Sequence, residues 1–325
     1  MTLTFGDKVA DPKRRVGMFE FIPPEVDESE ATLARSAAGL ARTLAGFGDD
    51  VDAIYIPQIV DESTAGMSVT RPDRLEARRY AALVAADPNL HPNTEMLITH
   101  PFPNTPMEET EKWLEETIGD YGIRNIVAVG PALYVTNLTG LSAMAALERL
   151  RELSETGPQI TRGAIAMDTR RAEGEEDEPY RMAQKALAGA DFFTTQLFYK
   201  AEGMIRLLQD YRDESERQGV EPKRVFLSVA PIPSKSILRV VESLLGAEVD
   251  RETVDYIFFD TTGRGNRSIG SIESMLREVF DYCYGRDLGV PLGISVGHIT
   301  EGNFRFAHEL MHSLPELAKD YLPDG

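Results

Sequence analysis

The stretch Val16-Gly17-Met18-Phe19-Glu20-Phe21-Ile22-Pro23-Pro24 decides how the rest of the chain is read. Its apolar run has the length of a buried strand. The paired prolines stop it, because both fix φ and the second cannot donate a backbone hydrogen bond. Glu20 is a carboxylate inside that run. Near the end of a buried strand it is poorly solvated, which predicts a raised pKa and a proton kept at neutral pH. A general acid has that property. The competing reading is a carboxylate salt-bridged to an arginine across a sheet or barrel.

Working outward, runs of the same kind recur at Val51–Ile56, Thr94–Thr99, Arg124–Val129, Gly163–Asp168, Phe192–Phe198, Val225–Ala230 and Pro291–Val296. Between them lie helical patterns at Ser29–Leu44, Asp73–Ala86, Met107–Tyr121, Ser142–Ser154, Pro179–Ala188, Ala201–Gln218, Ser234–Leu245 and Ile269–Tyr284. A last one, Asn303–Leu317, follows the final strand. Gly46, Gly122, Gly189, Gly219 and Gly246 fall where helices should stop, and Asp73 and Ser234 where they should start. Strands rich in Val, Ile and Phe without polar alternation suit a parallel sheet covered on both faces. Eight such units predict an α/β protein of (β/α)8 TIM-barrel type, with a doubly wound open sheet as the alternative. No repeat or linker marks a boundary, so residues 1–325 are read as a single domain.

The chain has 34 Lys and Arg against 53 Asp and Glu, a net charge of −19. This argues against nucleic acid and anionic membranes as partners. It suits a salt-rich cytoplasm, where ions screen self-repulsion. The dense run from Glu173 to Glu178 reads as a solvated loop leading into a helix. No run is apolar and long enough to span a bilayer, and the N-terminus lacks a signal core. The lone Cys283 excludes a disulfide framework and a cysteine zinc cluster. A cytoplasmic location is the expectation.

In a barrel, functional groups sit where strands end. The polar residues there are Glu20, Gln58, His100, Asp168, Gln196, Ser228, Ser234, Lys235, Ser295 and His298. A Glu, a Gln and an Asp converging on one mouth could hold a flat, hydrogen-bonding heterocycle. No trio has metal-ligand spacing.

Several of these segments resemble one family. Phe19-Glu20-Phe21-Ile22-Pro23-Pro24 resembles the first-strand motif of methylenetetrahydrofolate reductases, and Gly189-Ala190-Asp191-Phe192-Phe193-Thr194-Thr195-Gln196 their sixth-strand motif. Tyr121–Ala128 is similar to the run into their fourth strand, with weaker echoes at Phe226–Ile232 and Val290–Ile294. The resemblance implies a (β/α)8 barrel that reduces 5,10-methylenetetrahydrofolate, or a related tetrahydropterin, to the 5-methyl form. It implies that Glu20 is the general acid that protonates N10, opening the ring to an iminium that accepts hydride. Gln196 would hydrogen-bond the pterin. By position, His100 is a candidate contact to pterin or nicotinamide or else a hydrogen-bonded mouth residue, and Asp168 is a candidate substrate contact or else a salt-bridge partner of Arg170 or Arg171.

The departures bear on the cofactor. Flavin-dependent members carry an Arg-Gly-Asp-type turn after strand four, where this chain has Val129-Gly130-Pro131-Ala132. They also carry a Tyr-Pro-Glu-x-His-Pro segment after strand five, where this chain has Ala166-Met167-Asp168-Thr169-Arg170-Arg171. The resemblance is therefore to the divergent branch that passes hydride directly from NAD(P)H, without tightly bound FAD. Gln58, Gly130, Arg170 and Arg264 are the candidate contacts for the nicotinamide nucleotide. Asp260–Ser268 holds glycines and arginines before a helix, which reads first as a solvated loop and second as an anion cradle. An FAD-dependent member, and a pterin-binding or methyl-transfer barrel without hydride chemistry, are the alternatives. The reading admits a homo-oligomer without specifying one.

His308-Glu309-Leu310-Met311-His312 matches the zinc-protease string H-E-x-x-H. No third ligand is placed to follow it, and Phe304, Ala307, Leu310, Met311 and Leu314 form a core-facing stripe on the same helix. No metal site is expected.

Overall fold

The computed structural model describes residues 3–59, 73–130, 138–168, 177–243 and 245–322. Arg170 and residues 173–176 of the acidic run lie outside them, as do Pro131 and Ala132. The strands are β1 (Gly17–Glu20), β2 (Ala53–Ile56), β3 (Glu95–His100), β4 (Asn125–Ala128), β5 (Thr161–Ala166), β6 (Phe192–Thr195), β7 (Arg224–Val229) and β8 (Leu292–Gly297). They close in sequence order as a barrel, and the registered neighbours are parallel. The (β/α)8 barrel expected from the alternation of runs is the fold.

Among the described residues the helices are α1 (Phe5–Ala10), α2 (Glu30–Ala45), α3 (Ala77–Ala85), α4 (Met107–Gly119), α5 (Ala143–Thr156) and α6 (Glu178–Ala188). They continue with α7 (Ala201–Gln218), α8 (Lys235–Ser243), α9 (Arg251–Ile257), α10 (Arg264–Gly285) and α11 (Glu301–Lys319). Ser29 and Ser142 cap α2 and α5 by accepting from Thr32 and Ala145 backbone N–H groups. Gly219 ends α7 in the left-handed region at φ 68°, which only glycine enters without steric cost.

Three local expectations are corrected. Residues 264–268 are the first turns of α10, not loop. Glu178 is not solvated: it opens α6, is 1 % exposed, and pairs with Lys185 Nζ at 3.2 Å. Asp73 does not cap α3, which starts after Glu76.

Contacts group the chain into two compact units. In the first (residues 1–8, 20–165 and 188–191), β2 to β5 pair in order. The Phe5 amide donates to Glu95 Oε1 (2.6 Å), and Lys8 pairs with Asp52 (2.7 Å), both nearly sealed from water. These contacts set the start of α1 against the N-terminal ends of β2 and β3. In the second unit (residues 9–19, 166–187 and 192–325), β6 to β8 pair in order. Arg224, 1 % exposed, donates to the carbonyls of Val9, Asp11 and Leu292. A buried guanidinium is tolerable only when its donors are met in this way.

Candidate active site

Successive strand residues face opposite sides, so one contact to a helix fixes the direction of a whole strand. Phe19 meets Phe304 of α11 edge-on at 6.1 Å, which turns Phe19 to the helix layer. Glu20, next in line, therefore faces the barrel interior at the C-terminal end of β1, and is half-buried. Phe21, past the end of β1, again packs outward on Tyr80 of α3 at 5.8 Å. On β2, the buried Tyr55 feels Glu20: burial first, and then the Glu20 charge, hold its phenol well above the usual range. Tyr55 thus remains a protonated donor beside the carboxylate. It went unnoticed in the sequence because it reads as one more apolar strand residue.

His100, the last residue of β3, faces outward. Its ring stacks on Trp113 of α4 at 3.8 Å, meets Phe102 edge-on at 4.7 Å, and bonds Thr105 Oγ1 through Nε2 (3.1 Å). Burial, and then the Arg78 charge, push its pKa down to about 3, so it is neutral at physiological pH. These bonds fit a positioned core histidine rather than a substrate contact. The inward residue at this level is Thr99, whose Oγ1 accepts from the Gln58 amide (2.7 Å). The Gln58 side chain is occupied as well. Its Oε1 accepts from Ala77 N at the start of α3 (2.9 Å), and its Nε2 donates to the Ile59 carbonyl (3.3 Å). Gly130 lies two residues beyond β4, and among the described residues an added Cβ there would meet nothing within 4 Å.

In the second unit, Phe226 of β7 and Phe192 of β6 meet edge-on at 5.4 Å. Thr194 is in register with Phe226, and its Oγ1 lies 3.1 Å from Ser228 Oγ. Gln196 follows with the parity of Thr194. The Gln196 backbone N–H donates to Ala166 O (3.0 Å), and its side-chain Oε1 accepts from Leu197 N (3.0 Å). This orients the amide and leaves Nε2 as the group it can offer. Asp168 turns the other way. Its Oδ2 lies 3.3 Å from where a Cβ on Gly203 would stand, in the first turn of α7, where the helix dipole favours negative charge.

The proposed anion cradle does not present free cations. Arg264 Nε donates to Asp260 O (3.0 Å), and its guanidinium lies 5.4 Å from the Phe258 ring centroid. Arg267 donates to Ile257 O (3.0 Å) and to the Asp260 carboxylate (3.3 Å). Both arginines close the turn between α9 and α10. The Asp260 carboxyl is lowered chiefly by the Thr262 N–H. These residues do not fit a site for nucleotide phosphates.

A cavity of ≈ 330 Å³ lies at the opposite end of the strands, lined by residues that include His91, Glu95, Tyr121 and Arg124. The N-terminal face of a barrel is where stability rather than chemistry is built. On α11, His308 and His312 lie with ring centroids 4.7 Å apart, and burial lowers the His308 pKa. Among the described residues no group of three or more His, Cys, Asp or Glu is placed to hold a metal. Nor is any described helix long and apolar enough to cross a membrane.

The strands, closed in sequence order, define the class: a (β/α)8-barrel protein. Residues 7–281 match the methylenetetrahydrofolate reductase family, and the chain belongs to it. No curated protein matches the chain as a whole by sequence. Among solved structures, a Clostridium thermocellum protein that binds two copies of 5-methyl-5,6,7,8-tetrahydrofolic acid is similar, with TM-score 0.72 and 17 % identity over 93 % of this chain and 96 % of that one. A 2,3-dimethylmalate lyase of the PEP mutase/isocitrate lyase superfamily follows at TM-score 0.51 and 11 % identity, covering 98 % and 88 %. Active domain 2 of a Pyrococcus furiosus chitinase gives TM-score 0.51 at 10 % identity, covering 94 % and 96 %. At these identities the likeness is one of fold.

Proposed function

We propose that this chain reduces 5,10-methylenetetrahydrofolate, or a closely related tetrahydropterin, to its 5-methyl form, with hydride supplied by NAD(P)H. The observation that carries the reading is Glu20, inward-facing at the end of β1 in a member of the methylenetetrahydrofolate reductase family. Opening the five-membered ring needs a proton on N10 as the bond to the one-carbon unit breaks. Glu20 is the residue assigned to deliver it, and the Tyr55 phenol beside it stays protonated throughout. Gln196, its amide fixed by Leu197 N, offers Nε2 to a pterin acceptor. Among the described residues nothing crowds Gly130, where a flat ring can lie. NAD(P)H brings the hydride; the chain orients the pterin, shields the cation from water, and places the proton.

The absence of an Arg-Gly-Asp-type turn after β4 favours direct transfer over a flavin relay. A purified protein showing flavin absorption bands would reverse that part of the proposal. Oxidation of NADH or NADPH dependent on methylenetetrahydrofolate is the expected activity. Replacing Glu20 by Gln keeps the shape and removes the acid, so turnover should fall by about 10²-fold or more. Wild-type turnover in Glu20→Gln would overturn the assignment.

A second reading has one observation in its favour. The Clostridium thermocellum protein of similar fold binds the methylated folate itself. A pterin-binding or methyl-transferring role for this chain would show as tight binding of 5-methyltetrahydrofolate with no nucleotide oxidation under any pterin.

A further inference from the structure

Ser295 lies in the middle of β8, in register with Ser228 of β7, so both side chains share the inward face. Ser228 has a partner in Thr194 at 3.1 Å. Ser295 has none: its Oγ is buried, the residue is 0 % exposed, and among the described residues nothing hydrogen-bonds it. A sealed hydroxyl without a partner has given up its water for nothing in return. Such an orphan in a native fold asks for an explanation.

The surroundings supply one. The residues two before and two after Ser295 on the same face are Gly293 and Gly297. Below, the Phe226 ring occupies the space that Gly293 vacates, lying 2.6 Å from where its Cβ would stand. Above, Gly297 contributes no side chain, and an added Cβ there would meet Ala230, Val229 and Leu197 at 3.4–3.7 Å, ordinary packing distance. The inward face of β8 is therefore an aromatic floor, a hydroxyl, and a glycine packed against Ala230 and Leu197 toward the strand's C-terminal end. Gly293-Ile294-Ser295-Val296-Gly297 also spells the nucleophile-elbow string, but it runs straight within β8 and lacks the strand-to-helix turn that exposes such a serine. The hydroxyl is placed to bind, not to attack.

We infer that Ser295 is a substrate-binding residue whose hydroxyl pairs with the polar edge of a tetrahydropterin ring. This rests on the folate reading above. A hydroxyl can both donate and accept, and the pyrimidine edge of a pterin alternates carbonyl, ring nitrogen and amino groups. With Gln196 Nε2 as a fixed donor on β6, Ser295 supplies an adaptable second contact from β8.

The test is thermal melting of the full-length protein with and without 5-methyltetrahydrofolate, for wild type, Ser295→Ala and Ser295→Thr. In the ligand-free protein, Ser295→Ala should melt at or above the wild-type temperature, because the orphan is gone. With ligand, its stabilisation should shrink, corresponding to a Kd about tenfold weaker, and Ser295→Thr, which keeps the hydroxyl, should retain more of it. A ligand-free Ser295→Ala protein that melts lower, with unchanged ligand stabilisation, would mean a structural hydroxyl and overturn the assignment. Equal affinity in wild type and Ser295→Ala would also overturn it while leaving the folate reading intact. A wild type that no tetrahydropterin stabilises would sink both.

Discussion

His100 shows how one residue's direction changes its chemistry. On β3 it stands next to Thr99, and alternation sends Thr99 inward and His100 out onto Trp113. Its pKa near 3 makes it a folded-state group that resists protonation. The unfolded chain binds that proton near pH 6.5 while the folded chain does not, so stability is fully present above about 6.5 and declines as pH falls. Between pH 7 and 5 the loss from this residue should be about 2 kcal/mol. Urea unfolding of wild type and His100→Phe at both pH values measures it: the drop should be smaller in the variant. Identical drops would place the pH sensitivity elsewhere.

At the level of elements, α3 begins with help from outside itself. Its N-terminal amide at Ala77 is met by Gln58, a residue 19 positions earlier in the loop after β2. Gln58→Ala should cost about 0.5–2 kcal/mol, as loss of a helix cap does. Its denaturation midpoint should fall while KM for the nicotinamide nucleotide stays unchanged; a raised KM with unchanged midpoint would restore Gln58 as a cofactor contact. The eight strands and nine of the helices are legible because short continuous apolar runs and 3.6-residue stripes alternate along the chain. The short α1 and α9, of 6 and 7 residues, were missed because so few turns carry no readable stripe. The place of Glu20 at the end of β1 is legible from its apolar run, and that of Gln196, just past β6, from its motif. The structural bonds of Gln58 and Arg264 are not legible in the sequence, because side-chain direction sets them: Gln58 turns to the start of α3, 19 residues on, and Arg264 back onto the carbonyl of Asp260.

The whole molecule carries 19 more negative than positive charges. Many arginines pair with carboxylates on exposed helices, such as Arg206 with Glu202 and Arg305 with Glu309. Such pairs contribute about 0–1 kcal/mol each, so the net repulsion dominates the electrostatic balance. Raising KCl from roughly 0.1 to 1 M shortens the screening length from about 10 to 3 Å. The melting temperature should rise over that range. A fall would mean that the paired charges outweigh the excess.

The N-terminal helix gives this architecture an order of assembly. The Val9 carbonyl near the end of α1 is held by Arg224, a separation of 215 residues, and the Asp11 carbonyl by the same guanidinium. Contacts that distant are slow to form, because the loop they close spans 215 residues. During synthesis Phe5 can meet Glu95 once β3 exists, whereas Val9 waits for its partner until β7 has been made. The far end of α1 is thus secured late, and depends on chaperone protection until then.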